Sequence, residues 1–205
     1  MLIITGGSFG ADVARRIARG REATLRHVDE PAEETYALVA RHELVLLAVW
    51  RPYIELARGI DEACFAHGRP WAAAEVSGTT LTCGPLFAPG SGKGCYDCLL
   101  ARADARQRSG DRTRALRQAY AADPALGPGG HSGPMAAIAA AALAETAAGE
   151  ATGRFRKIDL LTGSVLETEL IPRHDCARCR PPSADYVPTS RFIDTMVPQL
   201  ERILA

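Results

Sequence analysis

The residues best suited to chemistry in this chain are four of its six cysteines, arranged as two Cys-x-x-Cys pairs. Cys95 and Cys98 lie in GKGCYDCLL, and Cys176 and Cys179 in PRHDCARCRPP. An x2 spacing lets both sulfurs of a pair reach one ion from a tight turn, and four thiolates suit the closed tetrahedral geometry of structural Zn(II). The pairs are too far apart for a compact zinc ribbon, so one shared metal would tie together two distant segments of a single domain. Two independent redox dithiols or disulfides are the alternative reading, and the repeated spacing favours the shared metal. Cys64 and Cys83 sit in no paired turn and read as buried apolar residues.

A second candidate is the glycine turn Gly6, Gly7 and Gly10, with Asp29 further on. Glycines after a strand admit a phosphate to the amides of a helix N-terminus, and an acid at the end of the next strand accepts from ribose hydroxyls. The signal is weak, because the glycine spacing is incomplete, no P-loop Lys follows, and Asp29 could equally cap a helix at Pro31. His131 and Ser132 suggest a base and a nucleophile, but no orienting acid is evident and Ser132 reads as an N-cap. His174 is either a neighbour of the metal ligands or a surface residue. Trp50, Arg51 and Tyr53 follow an apolar run where α/β folds bind ligands, and could contact a peptide or fill a defunct nucleotide cleft.

The elements that must position these residues follow from hydropathy patterning. Leu2 to Thr5 reads as a strand, ADVARRIAR as a helix stopped at Gly20, Thr24 to Val28 as a strand, and PAEETYALVARH as a helix. LVLLAVW is a continuous apolar run typical of a buried parallel strand, and Tyr53 to His67 a further helix. This alternation predicts an α/β domain with a mostly parallel sheet. From Trp71 the pattern predicts two strands broken at Gly78, then a helix from Leu99 to Tyr120 and a Pro/Gly-rich loop. An Ala-rich helix from about Pro134 to Ala148, closed by Gly149, comes next. RFRKIDLL and VLETELIP flank Thr162-Gly163-Ser164 and predict an antiparallel hairpin leading to the second cysteine pair. RPPSADYVP reads as irregular and Ser190 to Leu204 as an amphipathic helix.

With 205 residues and 47% hydrophobic side chains, the chain is long enough to bury a core without crosslinks. Lys and Arg balance Asp and Glu at 24 each, which argues against nucleic acid or an anionic membrane as partner. The local exception is the stretch holding Arg102, Arg106, Arg108, Arg112, Arg114 and Arg117, read as a solvated helix face or a docking surface for an acidic partner. Neither a signal peptide nor a membrane span is apparent, and a cytoplasmic location is expected.

Several segments together resemble a known family. GRPWAAAEVSGTTLTCGPLFAPGSGKGCYDCLL, the small-residue helix after GGHSG, DLLTGSVLETEL and CARC occur in the order seen in E1-like adenylating proteins of the ThiF/MccB type. GPLFAPGSGKGCYDCLLAR and LIPRHDCARC look most like the E1-like partners of YcaO-type cyclodehydratases, which make azolines in ribosomal peptides. The resemblance implies a Rossmann-like E1-type domain over residues 1–180 with a four-cysteine zinc site, followed by a C-terminal extension, 181–205. It further implies a YcaO-type cyclodehydratase and a precursor peptide as partners, and the chain is expected to form a homodimer. Active E1-like enzymes carry a magnesium-supporting aspartate at the end of the strand matching LVLLAVW, where this sequence has Trp50. The family's Asn-Arg segment and reactive cysteine are also missing. Adenylation and nucleotide binding are therefore not expected, and Gly6, Gly7, Gly10 and Asp29 would be a degenerate nucleotide site. The winged-helix domain that grips leader peptides has no counterpart before the glycine turn, so that task would fall to a separate leader-binding protein, a fused YcaO protein or another surface of this chain. The runner-up reading is an active E1-like adenylating enzyme or a nucleotide-dependent oxidoreductase.

Overall fold

The computed structural model describes residues 1–28, 33–105, 110–123, 125–128, 130–150, 152–174, 176–179 and 197. The chain opens with β1 (Leu2–Gly6), α1 (Gly7–Ala18), β2 (Thr24–His27), α2 (Glu33–Val39), β3 (Val45–Val49), α3 (Ile54–Ala66) and β4 (Trp71–Ser77). Every residue of β1 and β3 is buried. That is the environment a continuous apolar run requires when helices cover both faces of a parallel sheet. β1 pairs in parallel with β2 on one side and β3 on the other, and β3 pairs in parallel with β4.

Beyond β4 the pairing becomes antiparallel, through β5 (Thr80–Cys83), β6 (Arg154–Asp159) and β7 (Val165–Glu169). The result is one seven-stranded sheet in the order β2-β1-β3-β4-β5-β6-β7. The expected break at Gly78 is the β4–β5 turn, and Thr162-Gly163-Ser164 closes the β6–β7 hairpin. There Asp159 accepts the amides of Leu161 and Thr162, each at 2.9 Å, so the turn is held by its own carboxylate.

The sheet divides the core in two. On one face Phe9, Val13 and Ile17 of α1 pack with Ala136, Ala139 and Leu143 of α6 (Gly133–Glu145). On the other, Leu56 and Ile60 of α3 pack with Val39 of α2, Trp71, Tyr96 and the cysteines. The alanines of α6 let it approach α1 and the sheet closely. Ser132 caps that helix as expected, accepting the Met135 amide at 3.3 Å, and the stop at Gly149 falls in a π-type turn at φ +92°.

One expectation needs correction. In place of a single helix from Leu99 to Tyr120 there are two, α4 (Tyr96–Ala105) and α5 (Gly110–Ala122). α4 starts early because the first cysteine turn opens it, placing Cys98 in its first turn. Residues 106–109, including Arg106 and Arg108, lie outside the described residues, as do Asp29 and Pro31. The C-terminal extension 181–205 also lies outside them, apart from Val197.

Candidate metal centre and the glycine-turn cleft

The structure brings the two cysteine pairs together. The first is carried by the loop entering α4 and the second by the segment leaving β7, so the fold closes across its antiparallel edge. The sulfurs of Cys95 and Cys98 are 3.9 Å apart, those of Cys95 and Cys176 3.7 Å, and those of Cys98 and Cys179 3.9 Å. All four lie within 4.8 Å of one another.

Tetrahedral Zn(II) with Zn–S bonds of about 2.3 Å sets its ligands about 3.8 Å apart. A disulfide requires about 2.05 Å, and the cysteines are free thiols. The donor set therefore fits a metal ion and is compatible with zinc. Backbone donors complete the setting: the Cys95 amide points at Cys179 Sγ (3.0 Å) and the Arg173 amide at Cys98 Sγ (3.3 Å). Such donors favour thiolate over thiol.

The thiols are not electrostatically equal. Burial pushes Cys95 up to about 11, against amide and side-chain hydrogen bonds from Cys98 and Cys179. Burial, with the neighbouring sulfurs, also raises Cys179. At Cys176 burial acts in the same direction, but the amides of Cys179 and Arg178 together with hydrogen bonds to the Cys98 and Cys179 sulfurs outweigh it and the thiol is lowered. A divalent cation entering this cluster displaces protons, so its binding strengthens as pH rises. Cys64 and Cys83 are buried, as their sequence setting implied, and are not among the four clustered sulfurs; each is pushed up to about 12 mainly by desolvation. His174 is exposed.

The second candidate lies at the opposite end of the chain. β1 is the strand at which the order of the sheet reverses, so the crevice beyond the C-terminal ends of β1 and β3 is where open α/β sheets bind ligands. Gly6 ends β1, Gly7 starts α1 at φ +68°, and Gly10 allows α1 to approach β3, since a Cβ there would lie 2.1 Å from the Ala48 carbonyl oxygen. A strand end, a glycine turn and a helix N-terminus thus meet at this crevice.

Its space is taken by Trp50. A Cβ on Gly7 would fall 2.4 Å from the indole Cδ1, and one on Gly127 would fall 2.3 Å from Cζ3, so the ring is sandwiched between these two glycines. Trp50 Nε1 donates to the Tyr53 hydroxyl at 3.0 Å. Arg51, 4% exposed, stacks on Tyr53 and Tyr120 with its guanidinium carbon 4.5 and 4.8 Å from their ring centres, and donates to the Tyr120 carbonyl at 2.8 Å. Trp50, Arg51 and Tyr53 thus pack against one another and against Gly7, Gly127 and Tyr120.

One grouping was missed in the sequence. His131, beside which the sequence shows no orienting acid, has Asp12 of α1 at 3.3 Å from Nε2, and Phe9 edge-on. Its Nδ1 lies 3.5 Å from the Ser8 hydroxyl, at the limit of a hydrogen bond. The Asp12 carboxyl is lowered because Arg16 and His131 outweigh its desolvation. The arginine-rich stretch is partly consumed internally. Arg102 donates to the carbonyls of Ile171 and Pro172, and Arg117 pairs with Asp104 at 2.6 Å, while Arg112 and Arg114 are exposed.

No family model matches the chain, and no curated protein does. Solved structures match in fold. The heterocyclase TruD is similar with a TM-score of 0.59 and 17% identity, over 88% of this chain and 27% of that one. A heterocyclase in complex with substrate and cofactor gives 0.60 and 18%, over 88% and 25%. The E. coli microcin synthetase McbBCD complex gives 0.61 and 12%, over 85% and 67%. The chain thus spans 25–27% of the length of the two heterocyclase chains. At these identities the likeness is one of fold, and it supports the E1-like architecture read from the sequence. Among the described residues, no helix is long and apolar enough to cross a membrane.

Proposed function

We propose that this chain is a non-catalytic E1-like subunit that partners a YcaO-type cyclodehydratase and helps present a precursor peptide for ATP-dependent azoline formation. In this reading Cys95, Cys98, Cys176 and Cys179 hold one structural Zn(II). Four thiolates leave no coordination position open, so the bound ion supplies a crosslink and no Lewis-acid chemistry. The chain's own contribution is shape: the clamp fixes the loop before α4 against the exit of the β6–β7 hairpin. The fold likeness to a heterocyclase and to a microcin synthetase complex supports the choice of pathway class.

The observation that carries the non-catalytic part is the indole of Trp50 seated on Gly7 and Gly127, in the crevice where an E1-like enzyme would hold its nucleotide. An indole offers no ligand to magnesium, and here it fills the space beside Gly7. ATP would be used by the YcaO protein instead.

The test is reconstitution. The precursor peptide, YcaO protein and ATP, with and without this chain, are followed by mass spectrometry for loss of water at Cys, Ser or Thr residues. Rings are expected only when this chain is present. The purified chain alone should give no ATP–pyrophosphate exchange, and measurable exchange would overturn the reading in favour of an active adenylating enzyme.

A further inference from the structure

We infer that Asp61 of α3, which is not itself a metal ligand, positions both cysteine turns and so sets how tightly the metal is held; this rests on the zinc assignment above. Asp61 is 4% exposed in the α3-side core. Its carboxylate accepts the Trp71 indole N–H at 2.9 Å, the backbone amide of Tyr96, and the guanidinium of Arg178. Tyr96 stands between Cys95 and Cys98, and Arg178 between Cys176 and Cys179. One buried carboxylate therefore grips, inside each Cys-x-x-Cys turn, a residue enclosed by the two ligands.

The surroundings make this grip rigid. Trp71 stacks on Phe87 with ring centres 4.7 Å apart, and Tyr96 packs against Trp71 at 5.7 Å. The Arg178 guanidinium lies 5.1 Å from the centre of the Phe65 ring, also on α3. A carboxylate this buried is tolerated only when its oxygens are saturated by donors, and here donors come from β4 and from both cysteine turns. Partners beyond the ligands commonly fix ligand orientation, and their loss typically weakens metal binding about 10–100-fold. Without Asp61, the second turn loses the ion pair that holds it against α3, and the four sulfurs are no longer pre-set at tetrahedral separations.

Zinc affinity and release are measured by competition with a chromophoric chelator, and ligand geometry by the visible spectrum of the Co(II)-substituted protein, in the full chain and its variants. Asp61→Ala should lower affinity by about 10–100-fold, accelerate release and broaden the Co(II) bands. Asp61→Asn still accepts from Trp71 through one oxygen but loses the charge that pairs with Arg178, and should fall between it and the wild type. Should Asp61→Ala not fold, Asp61→Asn and Arg178→Met carry the test. Trp71→Phe, which removes only the β4 donor, should lower the melting temperature with zinc affinity little changed. Unchanged affinity and an unchanged Co(II) spectrum in Asp61→Asn and Arg178→Met, with the wild type binding one zinc, would overturn the positioning role alone. A wild type that binds no zinc would overturn the metal assignment as well.

Discussion

The parallel and antiparallel halves of the sheet each gather a group of candidate residues, and they differ in what occupies the space between them: an indole in one, four facing sulfurs in the other. At the β1–β3 crevice Gly6, Gly7 and Gly10 lie where the strand order reverses, and the Trp50 indole packs against Gly7. At the antiparallel edge, segments distant in sequence bring four sulfurs to within 4.8 Å, with amides aimed at them. The glycines of the crevice serve packing: Gly10 is required by the approach of α1 to β3 whether or not a phosphate binds. The cysteine cluster combines both roles, since Cys95 and Cys98 also pack in the α3-side core while their sulfurs face those of the second pair.

The largest effect that could break this contrast is the loss of a ligand. Cys98→Ser removes a fully buried sulfur from the clamp and should leave a zinc-poor, aggregating protein. Structural zinc contributes on the order of 10 kcal/mol in zinc-finger peptides, comparable to the whole stability of a domain. Zinc content by elemental analysis and melting by circular dichroism check this, and full zinc with an unchanged melting temperature would sink the four-thiolate assignment.

A smaller effect sharpens the contrast from the other side. Trp50→Ala empties the space between Gly7 and Gly127 and should cost about 3 kcal/mol, the low end for truncating a large aromatic. Zinc stoichiometry should be unchanged, because the indole and the clamp share no hydrogen bond among the described residues. Denaturant unfolding with zinc quantified on the same samples reads both. Zinc loss in this variant would mean that the two halves are not separable.

The parallel half was legible in sequence because each of its signals is local: an apolar run for β3, glycines after β1, a tryptophan where the strand ends. The hairpin and the cap at Ser132 were legible for the same reason. What was not legible depends on contacts between remote segments. Asp12 reads as an ordinary charged residue on a helix face until the loop holding His131 folds against α1. Asp61, within IDEACF, reads as solvent-facing by its neighbours, and only the return of Arg178 from the far end of the chain shows why a buried acid stands there. The division between α4 and α5 escaped because apolar spacing is faint in an arginine-rich stretch.

The last prediction concerns a carboxylate on the cleft side of the same sheet. Glu75, in register with Val49 of β3, shares its sheet face with Trp71, and Tyr96 and Arg117 act on it electrostatically. Glu75 is only half-buried, yet desolvation of its carboxyl raises it from its usual value of 4.5 to about 7, with Arg117 opposing. The folded state therefore keeps this proton through a pH range in which the unfolded chain has lost it. Below about pH 4 both states are protonated and the group contributes no difference. As pH rises towards 7 the unfolded state gains the advantage of ionising freely, and stability falls by an amount that levels off above about pH 7 at up to about 3 kcal/mol. Glu75→Gln should thus be near neutral at about pH 4.5 and increasingly stabilising up to about pH 8, with the difference between variant and wild type isolating this residue from the other titrating groups. Urea unfolding of both proteins at several pH values across that range measures the difference. A flat difference would mean that Glu75 ionises freely in the folded protein; a rising one would show that the face of β4 carrying Trp71 and Glu75 is closed to water there.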